Sequence, residues 1–415
     1  MRRERAGYSV WQLGRVIPAL LVAVLLMDVA LRFVSIDPLT FRAWEALERN
    51  RPPGAAFEPN RRYYNARSYG DLAARGNFRE LRQYRPDLFT TDALGYRNPP
   101  PVLNAEVSAI LAGDSFTVGS GVSDNETLSS TLNRLGDCVV YNAGGDADRI
   151  VPDEILAVAR RLHMRNRLVI RVYAERSWVP VPAVGRGMVA RTLVARMPAE
   201  VRRLVGRLRG LVGVSPLQIL TGRVMKVVAD DRIFPNRYAD NVIRATLYNG
   251  DTMLFLPDEV DNFYRRREIA LDNWRWLRDE LGKARVDLLV VLVPNKYTVY
   301  RSFLVDQRPG GQGADYLDRL ERALRAGGIP VLNLTPVLSA EAARRVKHRE
   351  YLYWLDDIHW NALGIALGAA VIREHWPLNE ASCGTTLSRV DTSTTLPRSP
   401  GRRGLAVTVP PDQAP

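Results

Sequence analysis

Three short stretches of the chain combine residue types suited to nucleophilic chemistry. In the first, Ala109-Ile110-Leu111-Ala112-Gly113-Asp114-Ser115-Phe116, an apolar run ends in Gly-Asp-Ser. Downstream, Ser123-Asp124-Asn125-Glu126 has the Ser-x-x-Glu spacing of a capping box that opens a helix. A serine hydroxyl is a weak nucleophile until a neighbouring base takes its proton. The chain offers four histidines for that task. His163 ends a basic stretch, His348 stands among Arg345, Lys347 and Arg349, and His375 falls at a helix end, where the dipole suits a cation. His359 differs, lying in Leu355-Asp356-Asp357-Ile358-His359-Trp360-Asn361. Two carboxylates just before it can hold an imidazole N–H and stabilise the imidazolium. The third stretch, Val139-Val140-Tyr141-Asn142-Ala143-Gly144-Gly145, puts a glycine N–H after an apolar run. Together with the N–H of Ser115, that of Gly144 is placed to meet a developing oxyanion. Each stretch alone also reads as ordinary structure: a glycine turn, or an acidic helix cap beside a structural histidine. Their combination favours a triad with Ser115 as nucleophile, His359 as base, and Asp356 or Asp357 as the orienting acid.

Such groups need a rigid scaffold. The apolar runs Val107–Ala112, Cys138–Tyr141, Leu168–Tyr173, Asp287–Val293 and Pro330–Leu334 have the continuous hydrophobicity of buried parallel strands. Helical periodicity appears near 127–135, 152–163, 262–282, 314–326 and 361–375. The alternation predicts an α/β fold, a doubly wound parallel sheet with helices on both faces. Sheets of this kind build their sites at the C-terminal ends of the strands, where Ser115 and Gly144 fall. One interval is too long for a crossover, and the region from about 180 to 260 is expected to be an insertion, a helical cap followed by a hairpin.

The chain has 415 residues and a formal charge of +13. Residues 1–15 carry a net +3 and residues 186–226 a net +8, so the basicity is local. No nucleic-acid recognition motif accompanies it, and nucleic acid is not expected as a partner. Residues 16–27 form an uninterrupted apolar run, which resumes after Asp28 and passes Arg32. Taken over 16–35, it is expected to be an uncleaved transmembrane signal anchor, with 1–15 as a cytoplasmic flank and the rest exported. Residues 36–105 read as an irregular approach segment, 106–376 as the α/β domain, and 377–415 as a disordered tail. Two cysteines, Cys138 and Cys383, exclude a disulfide-dense scaffold. They read either as free thiols or, in an exported domain, as a single long-range disulfide.

The Gly113-Asp114-Ser115-Phe116, Asn142-Ala143-Gly144 and Asp356/Asp357…His359 elements resemble the conserved blocks of the SGNH (GDSL-type) hydrolase superfamily. The resemblance covers roughly residues 90–376. Gly95-Tyr96-Arg97-Asn98 and Gly119-x-Gly121-Val122 are similar to membrane-anchored or periplasmic bacterial members. Pro294-Asn295-Lys296-Tyr297-Thr298-Val299-Tyr300 and Asp357-Ile358-His359-Trp360-Asn361 resemble the alginate O-acetylation proteins of that superfamily. The resemblance implies a flavodoxin-like three-layer α/β/α fold. It also implies a serine esterase or acyltransferase acting on O-acyl groups, commonly O-acetyl, of a polysaccharide. It implies no cofactor. It suggests the cytoplasmic membrane and a membrane acyl-donor protein as partners, with the domain on the periplasmic side. A non-catalytic glycan-binding or assembly protein on the same fold is the alternative.

Two features depart from the family pattern. The loop that ordinarily supplies an oxyanion asparagine reads Val172-Tyr173-Ala174-Glu175-Arg176-Ser177-Trp178, so Arg176, Asn142 or a backbone group stands in. The Asp-x-His element follows the serine motif, whereas it precedes it in the alginate proteins. Ordinary members use Asp-x-x-His, which selects Asp356, and the alginate-like pattern selects Asp357; both remain candidates. Lys296 is a candidate for binding a substrate carboxylate or hydroxyl. Tyr300 and Trp360 are candidates for stacking on sugar rings, although core packing accounts for them equally well.

Overall fold

The computed structural model describes residues 10–375, apart from 35–39, 49–50, 53, 137, 146–151, 163, 178–214, 231, 235–236 and 308–309. In chain order the strands are β1 (Arg62–Ser68), β2 (Arg85–Thr90), β3 (Val107–Ala112), β4 (Val139–Asn142), β5 (Met164–Ala174), β6 (Ile243–Thr246), β7 (Thr252–Phe255), β8 (Asp287–Val293) and β9 (Val331–Asn333). The helices begin with α1 (Val10–Leu31), α2 (Ala43–Leu47), α3 (Asp71–Arg75), α4 (Ser115–Val118), α5 (Leu128–Leu135) and α6 (Pro152–Ala159). They continue with α7 (Pro216–Met225), α8 (Pro257–Tyr264), α9 (Leu271–Lys283), α10 (Lys296–Tyr300), α11 (Tyr316–Ala326), α12 (Thr335–Arg345) and α13 (Ala362–Glu374).

Five strands, in the order β4-β3-β5-β8-β9, make a wholly parallel sheet. Successive residues face opposite sides, so each strand feeds two cores. Ile110, Val169 and Val290 join one core with Trp274, Leu277 and Leu281 of α9 and Leu317, Leu320 and Leu324 of α11. Leu111, Ile170 and Val291 join the other with Leu338 of α12 and Ile365, Ala369 and Ile372 of α13. The helical residues recur three or four positions apart, which puts each set on one stripe facing the sheet. Each large aliphatic side chain buried this way contributes roughly 1.5–3 kcal/mol. The strand order reverses between β3 and β5, and ligand crevices open at such a switch point. The loops after these two strands carry Ser115 and Arg176.

The five sheet strands fall where their apolar runs indicate, and the expected hairpin is β6–β7. The long helical pattern near 262–282 is broken into α8 and α9. Residues 36–105 are not irregular. β1 and β2 pair antiparallel, with Tyr63 opposite Phe89, and both rings enter the sheet core beside Phe57. The ribbon escapes a reading by periodicity because Arg85 and Asp87 occupy buried positions while Tyr64 is exposed, and because its strands are separated by α3 and a loop.

The expected span over 16–35 is not supported, since no described helix is long and apolar enough to cross a membrane. The uninterrupted apolar run is 12 residues. At about 1.5 Å per residue it falls short of the ~30 Å a bilayer core requires. Asp28, near the end of α1, is tied to Arg32 at 3.3 Å and accepts the N–H of Leu217 at 3.3 Å and the hydroxyl of Ser215. Residues 1–9, the basic stretch up to 214, and the tail from 376 lie outside the described residues. Cys138 is disulfide-bonded. The other cysteine in the sequence, Cys383, lies outside the described residues.

Candidate active site

Ser115 opens α4 directly after β3. Asp114 caps the helix by accepting the Phe116 N–H at 3.0 Å, and its other oxygen accepts the Ser177 hydroxyl at 2.5 Å. Gly113 has no room for a side chain: a Cβ there would lie 1.8 Å from Thr117 Oγ1 and 2.8 Å from the Val172 carbonyl oxygen. The glycine thus lets β3, β5 and α4 converge beneath the serine. Arg97 braces the loop behind α4 by donating to the carbonyls of Gly119 (2.6 Å), Val122 (2.7 Å) and Leu88 (2.8 Å). Asn98 pairs with the main chain of Asn142, accepting its N–H at 2.9 Å and donating to its carbonyl at 3.0 Å. The Gly95–Asn98 segment is therefore a bracket under the site.

His359 Nε2 lies 2.7 Å from Ser115 Oγ, and His359 Nδ1 lies 2.7 Å from Asp357 Oδ1. With Nδ1–H donated to Asp357, Nε2 is left to accept the serine proton. The carboxylate that reaches the imidazole is that of Asp357. Burial alone would raise the Asp357 carboxyl, but His359 and Arg85 outweigh it and hold it well below the usual carboxylate range. Its second oxygen accepts from Arg85 Nη2 at 3.1 Å and from the Asp71 N–H at 3.2 Å.

Asp356 is turned away from the imidazole. It accepts the N–H groups of Gly70 (2.7 Å) and Gln83 (2.9 Å) and pairs with Arg85 Nη1 at 2.9 Å. Arg85 thus bridges both aspartates, with its guanidinium 4.1 Å from the Trp354 ring centroid. A Cβ on Gly70 would meet the Asp356 main-chain oxygen at 2.1 Å. Gly70→Ala is therefore expected to displace the Asp356–Asp357 turn. We expect kcat for ester hydrolysis to fall more than tenfold while far-UV circular dichroism stays that of the native fold. Wild-type turnover in that variant would refute the coupling.

The remaining candidates fare differently. Lys296 is fully buried and donates to the carbonyls of Trp354 (3.0 Å), Leu355 (3.3 Å) and Asp357 (2.5 Å). Burial pulls its ammonium down to about 8, opposed by Glu259, Asp357 and Asp356. It braces the histidine loop from beneath and does not face substrate. Lys296→Met, which leaves those carbonyls without their donor, is expected to lower stability by roughly 3 kcal/mol in urea unfolding; an unchanged midpoint would contradict that role. Tyr300 is also buried, its hydroxyl accepting the Leu352 N–H at 2.8 Å. Trp360 is buried against Phe116, ring centroids 5.8 Å apart. Both are core residues, and neither offers a ring to a sugar.

Asn142 and Gly144 satisfy each other. The Gly144 N–H donates to Asn142 Oδ1 at 2.9 Å, and Asn142 Nδ2 donates to the Thr117 carbonyl at 2.9 Å. The Gly144 N–H and one N–H of the buried Asn142 amide are thus engaged within the fold. Among the described residues, the Ser115 N–H, first in α4, donates to no main-chain oxygen. Arg176 Nη2 comes within 3.4 Å of Ser115 Oγ, and its guanidinium carbon stands 5.0 Å from the Phe116 ring centroid. On its other side, Arg176 Nη1 is 3.5 Å from Glu259 Oε1. Burial pushes the Glu259 carboxyl up to about 7 despite Arg176 and Lys296.

Arg85, Gly70 and Glu259 carry no sequence signal: Glu259 reads as an acidic residue in the first turn of a helix, as dipoles favour. Asp71, Asp357 and His359 also bring possible metal-ligand atoms within 4.8 Å of one another. Those atoms are already paired, with Asp71 on Arg42 at 2.7 Å and Asp357 on His359 and Arg85.

Residues 251–411 match the family described as the SGNH hydrolase-like domain of the acetyltransferase AlgX. The match includes Glu259, Asp357 and His359. No curated protein matches the chain. Among solved structures, the native aryl esterase of M. smegmatis is 13% identical with a TM-score of 0.27, covering 65% of this chain and 98% of that one. The carbohydrate acetylesterase Est24 from Sinorhizobium meliloti is 14% identical with a TM-score of 0.25, covering 65% of this chain and 98% of that one.

Proposed function

We propose that this chain, an SGNH-superfamily protein resembling AlgX, is a serine esterase or acetyltransferase that acts on O-acetyl groups of a polysaccharide. The observation that carries the reading is the relay of two 2.7 Å contacts from Ser115 through His359 to Asp357. In the first half-reaction Ser115 Oγ attacks the ester carbonyl and its proton passes to His359 Nε2. The C–O bond to the leaving alcohol then breaks, and that alcohol takes the proton from His359. In the second half-reaction water or a glycan hydroxyl attacks the acetyl-serine, with His359 again as base, and the Ser115 ester bond breaks. Water gives hydrolysis and a glycan hydroxyl gives transfer. Asp357 stabilises the imidazolium formed in each half. The Ser115 N–H and the Arg176 guanidinium are the donors available to the tetrahedral oxyanion.

An extracytoplasmic location is part of the proposal. The disulfide at Cys138 supports it, because such bonds persist in oxidising compartments. The basic N-terminal flank followed by a 12-residue apolar run, the length of an export-signal core, supports it as well. The deciding experiment incubates the folded protein with a serine-directed fluorophosphonate and with p-nitrophenyl acetate. Labelling at Ser115 and acetate release are expected. Absence of both, in protein with native circular dichroism, would favour the non-catalytic glycan-binding alternative.

A further inference from the structure

Glu259 is a costly residue with no structural explanation. Its side chain is fully buried, and neither carboxylate oxygen has a hydrogen-bond partner. Arg176 Nη1, 3.5 Å away, is likewise buried without a hydrogen bond. A carboxylate stripped of water and given no donor destabilises the fold, and a residue of the same shape without the charge would be cheaper there. Its neighbours Val260 and Phe263 on α8 already pack into the core, so α8 does not need it for anchorage. Among the described residues, Arg176 is its one ion-pair partner, and that guanidinium turns its other nitrogen to Ser115 Oγ. The charged groups that act on Glu259 are Arg176, Lys296, Glu175 and His359.

We propose that Glu259 is a positioning residue: it fixes the Arg176 guanidinium so that Nη2 faces the tetrahedral oxyanion formed at Ser115. The proposal rests on the serine mechanism above. It also accounts for a charge problem. When His359 takes the serine proton, a second cation appears beside Arg176, and the Glu259 carboxylate offsets it. The cost of burying Glu259 is thus tolerated where the reaction uses it.

The test compares Glu259→Gln, Arg176→Ala and the double variant with wild type on p-nitrophenyl acetate. Glu259→Gln is expected to lower kcat on the order of 10–100-fold with KM within about twofold. In the Arg176→Ala background the same change is expected to have little further effect, since a residue acting through another has nothing left to act on. Thermal unfolding supplies the readout that a purely structural role would not give. The carboxyl is raised from 4.5 to about 7, so its burden on the fold is absent below 4.5 and complete above 7. Glu259→Gln is therefore expected to hold or raise the unfolding midpoint, with a larger gain at pH 8 than at pH 5. Should Glu259→Gln fail to fold, Glu259→Asp keeps the charge, shortens the reach by one methylene, and carries the same kinetic expectation. Wild-type kcat in the folded variant, or an equal loss with and without Arg176, overturns the proposal. Ser115→Ala serves as the control: if it stays active, the serine mechanism itself has failed.

Discussion

Ser115→Ala is expected to lower kcat on p-nitrophenyl acetate by a factor on the order of 10⁴–10⁶. The expectation follows from the position of the hydroxyl. It sits on the first residue of α4, 2.7 Å from His359 Nε2, which is placed to deprotonate it, while Asp114 of the same turn is committed to Phe116 and Ser177. Stability should change little, because the variant loses only the hydroxyl's contacts with His359 and Arg176 and creates no charge. A burst of p-nitrophenol in wild type, absent in the variant, would identify the acetyl-serine directly. Retention of a tenth or more of wild-type turnover would rule Ser115 out.

Asp357→Asn and Asp356→Asn are expected to separate cleanly, although the two residues are adjacent. In Asp357→Asn the imidazole loses the carboxylate at 2.7 Å. An amide in that place can present its NH₂ to Nδ1 and stabilise the unproductive tautomer; kcat should fall about 10⁴-fold. The acid response should change too. The Asp357 carboxyl titrates below its ordinary 3.8 in the folded chain, so its stabilising contribution is complete above that value and is lost as pH falls through the lowered one. Removing it should flatten acid unfolding in that range. Asp356→Asn removes the charge from a site holding Arg85 and two main-chain N–H groups. The expected loss is on the order of 3 kcal/mol of stability, with kcat reduced less than tenfold in the folded fraction. Kinetics paired with urea unfolding checks both. If Asp356→Asn is the catalytically dead variant, the assignment of the acid is wrong.

The sheet is readable because parallel strands buried on both faces leave apolar runs, as Ala109–Ala112 and Leu288–Val293 do. The pairing of Ser115 with His359 is legible because residue type and strand context coincide. The choice between Asp356 and Asp357 is not, since it depends on which way a five-residue loop turns and on Arg85, some 270 positions upstream. At Gly144 a side chain two residues back captures the N–H, a short-range competition that residue type alone does not reveal. Lys296 is illegible for a different reason: a charged residue at a strand end is ordinarily wet, and here three inward-turned carbonyls and the nearby Glu259, Asp357 and Asp356 carboxylates make its burial tolerable. Glu259 left no trace in the sequence because an acidic first turn is the commonest of helix starts.

The contacts that aim Asp357 come from the Gly70–Arg85 segment, 271–286 positions before the aspartates in sequence. The unit that folds around the parallel sheet and the unit that performs the chemistry therefore have different beginnings. A recombination event that moved β3 through α13 into another chain would carry the nucleophile, the base and the acid intact, and would leave behind the arginine and amides that hold the acid in line. A chain carrying only β3 through α13 would need another way to steady the pair of aspartates.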